Sequence, residues 1–281
     1  VSISFDYEVD GFDTNDDVEY EAFFDNVSQG RVLLVDGLSN LDQDGTVSIA
    51  VPDTTNEVSL IVYVRQNGGG DYGSFDNFKV KGIIPTVVYN GNTNSGFGGP
   101  VGGGNLSISA DGTTVSCTFT KGAGDFNDTM VMYISTGASG RNTINGDVND
   151  GADSNRRAIS NTGSGDLVLP SGFEATHAIA INTGFGGIWS IPSSGSIGNN
   201  GLTFIDAVGN PSAATDASFV YTFDWTDLGF SEPTSFNFLI TYGNPNDCGS
   251  NMFSSDEAIG CIVTSGNPGL SAFSFSTYYE Y

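Results

Sequence analysis

The chain has 281 residues, 33 acidic side chains against 8 basic ones, and a formal net charge of −25. That balance argues against nucleic acid and anionic membrane surfaces as partners, since phosphate neutralisation needs clustered Lys and Arg. No apolar run approaches the roughly 20 residues needed to cross a bilayer, so no membrane insertion is expected.

Strand signals dominate from the start. Ser2–Val9, Val18–Phe24, Arg31–Val35, Thr46–Val51, Val58–Arg65 and Phe75–Val80 are rich in β-branched and aromatic residues, and Gly, Asp and Asn clusters separate them. Val58–Val64 is almost continuously apolar, the pattern of a central strand. A boundary is placed near Lys81–Pro85, where charge density falls. Residues 1–84 hold 16 acids and 4 bases, and residues 85–281 hold 17 acids and 4 bases. The first segment supplies about six strands, few for a closed sandwich. It therefore borrows strands from a neighbour or belongs to something longer.

After the glycine-rich stretch Tyr89–Gly104, strands are expected at Leu106–Ala110, Thr113–Thr120, Thr129–Ser135, His177–Asn182, Ile188–Ile191, Ser218–Trp225, Ser235–Tyr242 and Phe273–Tyr279. The polar stretch Gly137–Asp166 is expected to be a long surface loop. No segment of ten residues shows a 3.6-residue period, and the best helical candidate is one turn at Asp224–Gly229. The fold class expected is all-β, with two tandem antiparallel β-sandwich modules at 1–84 and 85–281.

Of three cysteines, Cys248 and Cys261 flank one short Gly- and Ser-rich segment, and their spacing predicts a disulfide. Closing so short a loop stabilises by about 3 kcal/mol when the bond is unstrained. Cys117 lies in an alternating run and is expected to be a buried free thiol. Few Lys with abundant Asp, Asn, Gly, Ser and Thr, and no apolar leader, read as a mature or trimmed extracellular or cell-surface chain.

Two stretches carry a resemblance. Phe5–Asp13 with Phe75–Gly82 resembles the closing half of jelly-roll modules found in secreted proteins of Bacteroidota. In related carbohydrate-binding jelly rolls a last-strand aspartate helps hold structural calcium, and the matching residue here is Asp76. Gly96–Gly99, Gly122–Asp128 and Ser254–Gly260 are similar to glycine-rich DOMON-like sandwich modules, which generally bind sugars or build large surface proteins.

Calcium takes six to eight oxygen ligands, and crowded carboxylates repel unless a cation intervenes. Asp10, Asp13, Asp16 and Asp17 crowd into one polar loop, and Asp42-Gln43-Asp44-Gly45 forms another acidic cluster. Asp147, Asp150 and Asp153 recur at three-residue steps around a glycine, without EF-hand spacing. These are the candidate structural calcium ligands, and a solvated acidic loop is the competing reading. For sugar binding the candidates are Trp189, flanked by glycines, and Tyr242 with Asn244 at a strand end. Trp189 and Tyr242 have a core reading beside the platform one, whereas Trp225 shares parity with Phe219, Tyr221 and Phe223 and points inward.

Catalysis has little support. His177, the single histidine, reads as a half-buried strand residue, and no Gly-x-Ser-x-Gly elbow exists. Asp256-Glu257 is the most pointed acidic pair, but neighbours on a strand face opposite ways. The expectation is a non-enzymatic, calcium-stabilised protein that binds a polysaccharide or cell-surface glycan. The alternative is a subunit of an extracellular assembly, joined by strand addition to other copies of itself or to a larger surface protein.

Overall fold

The computed structural model describes residues 2–37, 41–52, 55, 57–81, 84–145, 153–198, 201–247, 251–260 and 266–281. It is nearly all-β and divides into two compact units, Val1–Ile83 and Ile84–Tyr281.

The first unit contains β1 (Ser2–Phe12), β2 (Asp17–Phe24), β3 (Val27–Asp36), β4 (Leu41–Ala50), β5 (Val58–Arg65) and β6 (Tyr72–Lys81). They form two antiparallel three-stranded sheets, ordered β4-β1-β6 and β3-β2-β5. Period-two alternation along β1 sends Phe5, Tyr7 and Val9 inward, where Phe12, Val18, Val35 and Val47 join them. Asp42, Gln43, Asp44 and Gly45 lie within β4 rather than in a loop. β5 is an edge strand, not the central strand its composition predicts.

The second unit contains β7 (Ile84–Asn90), β8 (Asn105–Ala110), β9 (Thr114–Thr120), β10 (Thr129–Ser135), β11 (Thr143–Ile144), α1 (Ser154–Ile159), β12 (Leu167–Val168), β13 (His177–Ile181), β14 (Gly186–Ser190), β15 (Thr203–Ala207), β16 (Ser218–Asp224), β17 (Asn237–Asp247), β18 (Asn251–Ile259), β19 (Phe273–Ser274) and β20 (Tyr279–Glu280). A four-stranded sheet, β16-β9-β8-β7, packs against a seven-stranded one, β15-β14-β13-β10-β17-β18 with β20 on β17. On β10, Met130, Met132 and Ile134 enter the core between the sheets, while Val131 and Tyr133 enter a second core behind them. That strand is buried along its whole length, which explains its unbroken apolar sequence.

The second core is closed by α1 and by the small sheet β11-β12-β19, in which β12 and β19 run parallel. The Gly137–Asp166 stretch is therefore not wholly a surface loop. Its described part supplies Ile144, Asn155, Ala158 and Ile159 as buried residues. Trp225 to Leu228 forms a 3-10 turn with a capping box, closed by Gly229 at φ 82°. Phe273–Tyr279 is two short strands rather than one, with Phe275 buried between them.

Candidate functional site

Alternation turns Asp6 and Glu8 of β1, Asp44 and Thr46 of β4, and Ser74 and Asp76 of β6 to the outer face of the first unit's sheet, around an acidic concavity of about 540 Å³. Asp6 pairs with Asp76 across the strands, and its carboxylate accepts from Thr46 Oγ1 at 2.6 Å and Asn77 Nδ2 at 2.7 Å. Those two bonds hold its pKa below the usual aspartate value. Asp76 accepts from the backbone N–H of Asn77. At the end of the sheet Asp10 shares a hydrogen bond with Asp42, which raises the proton affinity of Asp10. Asp42 is held lower by the Gly11 N–H.

The other predicted calcium ligands are dispersed. Asp16 is fully buried and accepts from the backbone N–H groups of Asp13 (2.8 Å) and Asn67 (2.9 Å). Asp13 accepts from the Asn67 side chain, and Asp17 pairs with Arg65 at 3.5 Å. Asp153 is the N-cap of α1, accepting from the Arg156 N–H at 2.8 Å. Asp147, Asp150, Cys248 and Cys261 lie outside the described residues. Among the described residues no group of three or more His, Cys, Asp or Glu side chains is placed to hold a metal ion. The oxygen donors on this face suit a hard cation such as calcium in kind, but as described they come only in pairs.

Glu257 and Asp256 sit where the β17–β18 register shifts, three residues of β18 standing against one of β17 between Gly243↔Ser254 and Thr241↔Ala258. The bulge lets both neighbours serve the same loop, contrary to the alternation expected of a regular strand. The buried Glu257 carboxylate accepts four backbone N–H bonds, from Phe97 (2.7 Å), Gly99 (3.0 Å), Val101 (3.0 Å) and Gly102 (3.1 Å). Asp256 takes the Gly96 N–H at 3.2 Å. The glycine-rich stretch is thus a nest wrapped around the protein's own carboxylate. Gly99 has φ +84°, and a Cβ on Gly102 would collide with the Asn94 carbonyl oxygen. Both oxygens of Glu257 are engaged, so its carboxylate clasps the glycine-rich loop to β18.

His177 is half-buried, and burial lowers its pKa to about 4. Its Nδ1 lies 3.0 Å from Thr176 Oγ1, which itself donates to the Ile134 carbonyl. Cys117 is a buried free thiol whose pKa burial pushes up to about 12, which leaves it unreactive.

The expected sugar platforms are not at the surface. Tyr242 is buried between the sheets, its hydroxyl accepting the Asp128 N–H at 3.0 Å. Asn244 Oδ1 accepts the Asn246 N–H within β17, where its register with β18 shifts. Trp189 is only 3% exposed. Two neighbours that sequence reading passed over are open instead, Phe185 at 42% and Phe204 at 51%. Their ring centroids lie 6.2 Å apart, and Trp189 meets them at 6.3 Å and 5.6 Å. A Cβ on Gly187 would come within 2.7 Å of the indole and 2.9 Å of the Phe185 ring, so that glycine lets both rings lie on the backbone.

The loop carrying Phe185 is fixed by two asparagines. Asn182 Oδ1 accepts the N–H groups of Gly184 and Phe185, and its Nδ2 donates to Asn155 Oδ1 at 2.6 Å. The buried Asn155 donates to the carbonyls of Ala180 and Phe185. Phe204 stands on β15, at the edge of the seven-stranded sheet. No protein-family model matches the chain, and no curated protein matches it.

Proposed function

We propose that this protein is a non-catalytic, secreted or cell-surface carbohydrate-binding module of adhesive type, stabilised by calcium. The observation that carries the reading is the exposed Phe185–Phe204 pair, backed by Trp189 and held by Asn155 and Asn182. Sugar rings present C–H faces that stack on aromatic rings, and a preformed apolar platform beside polar groups suits them. Thr183 is exposed beside the pair, and its carbonyl accepts from Asn210. The non-catalytic part rests on the occupied carboxylates of the Asp256–Glu257 clasp and on a histidine whose ring is tied to a neighbouring threonine.

The calcium part rests on the Asp10–Asp42 contact, where two exposed carboxyl groups lie side by side and Asp42 raises the proton affinity of Asp10. A divalent cation would relieve that repulsion. A glycan array probed with the wild type and with Phe185→Ala/Phe204→Ala tests the sugar reading. Binding to at least one glycan, lost in the double variant, is the expected result. An array without a bound glycan, or binding that survives the substitutions, removes it.

A further inference from the structure

The edge strand β5 has the composition of an interior strand, and three other edges of the first unit are blunted where β5 is not. β3 carries two register shifts and Gly30 at φ 91°. β4 carries Asp42, Asp44 and Gly45, and β6 carries exposed Lys79 beside Asn77 at φ 51°. Irregularities and charges of this kind keep an edge from pairing with another chain. β5 pairs with β2 in unbroken register from Asp17↔Arg65 to Phe24↔Val58 and has no Gly, Pro or charge between Val58 and Val64. Ile61 is 42% exposed and Val64 41% exposed.

The direction of its free bonds is fixed by its first neighbour. Glu57 receives the Asp25 N–H on its carbonyl at 2.8 Å and gives its own N–H to Asp25 Oδ1, so both groups turn toward β2. Antiparallel alternation then turns the N–H and C=O groups of Val58, Leu60, Val62 and Val64 outward. No described strand lies on that side.

We infer that β5 pairs antiparallel with β5 of a second copy of this chain, about a two-fold axis at Ile61. This register sets Val58 against Val64, Ser59 against Tyr63 and Leu60 against Val62. It also sets Glu57 of each copy against Arg65 of the other, so opposite charges close both ends. A slip of two residues would bring Glu57 opposite Tyr63 and leave Arg65 without an acidic counterpart. Both charged side chains can engage at small cost, since among the described residues Glu57 accepts from the exposed Asn26 amide (3.1 Å) and Arg65 pairs with Asp17 (3.5 Å). The symmetric contact closes on itself and gives a dimer rather than a fibre. It is independent of the sugar reading, because the aromatic pair belongs to the other unit.

Sedimentation of the intact chain over a wide concentration range tests this. The wild type is expected to show a reversible monomer–dimer equilibrium. Arg65→Glu and Glu57→Arg should each weaken it by about tenfold or more, through two lost charge pairs and new repulsion. The combined variant, or an equimolar mixture of the two single ones, should restore it. Val64→Pro should abolish dimerisation while leaving the β2 pairing intact, because the N–H it removes points outward. A wild type that stays monomeric, or a dimer indifferent to Arg65→Glu and Val64→Pro, overturns the inference.

Discussion

A carboxylate that satisfies four backbone N–H groups in a dry setting cannot be truncated without orphaning them. Glu257→Ala should therefore destabilise the second unit by about 4 kcal/mol, and Glu257→Gln by roughly half of that, in denaturant titrations. Equal, near-zero effects would mean that the loop does not depend on the clasp. His177 gives a pH signature. Its folded pKa of about 4 lies below the ordinary value near 6.5, so the unfolded chain takes up the proton first on acidification. Stability contributed by the neutral ring is complete above about pH 6.5 and is lost as pH falls toward 4. His177→Gln should flatten that limb, and imidazole resonances followed by NMR should remain neutral at pH 5.5. Little of this was legible in sequence. The pair Asp256-Glu257 stood out as acidic, but its role as a clasp did not, because the partners of Glu257 are main-chain groups about 155 to 160 residues away, and main-chain groups leave no compositional mark.

Elements whose period is regular were readable, and those set by tertiary contacts were not. β1, β2, β9, β10 and β16 announce themselves through alternation or continuous apolar runs. β15 and β18 did not, because an edge position relaxes the pattern in one and a bulge breaks it in the other. The β5 segment misled because its apolar run reads as a central strand, whereas among the described strands it pairs with β2 alone. Asp153 illustrates the ambiguity of short acidic clusters, which serve ligation and capping with the same chemistry. Asp153→Ala should cost about 1 kcal/mol and speed amide exchange in α1 and beneath it at Asn155 and Ile159. Unchanged exchange would show that packing alone holds the helix.

At the scale of the whole molecule, 33 acids against 8 bases make self-repulsion a global term that salt screens. Melting temperature should rise with sodium chloride. If calcium binds the acidic face of the first unit, millimolar calcium should raise it further at matched ionic strength, and EDTA should reverse that gain. A response to calcium no larger than to magnesium would limit the effect to screening. Composition sufficed for the all-β class because glycine-punctuated short apolar runs admit few alternatives. The layer behind the seven-stranded sheet was hidden, since a six-residue helix has too few turns to show a period. The sugar reading is tested most directly by titrating a soluble oligosaccharide, chosen from the array, into the intact chain while following tryptophan emission. Trp189 lies under the Phe185 and Phe204 rings, so saturable binding should shift its emission, and Phe204→Ala should abolish the shift at unchanged melting temperature. A wild type that binds no oligosaccharide, or a variant that binds as well as the wild type, would contradict it.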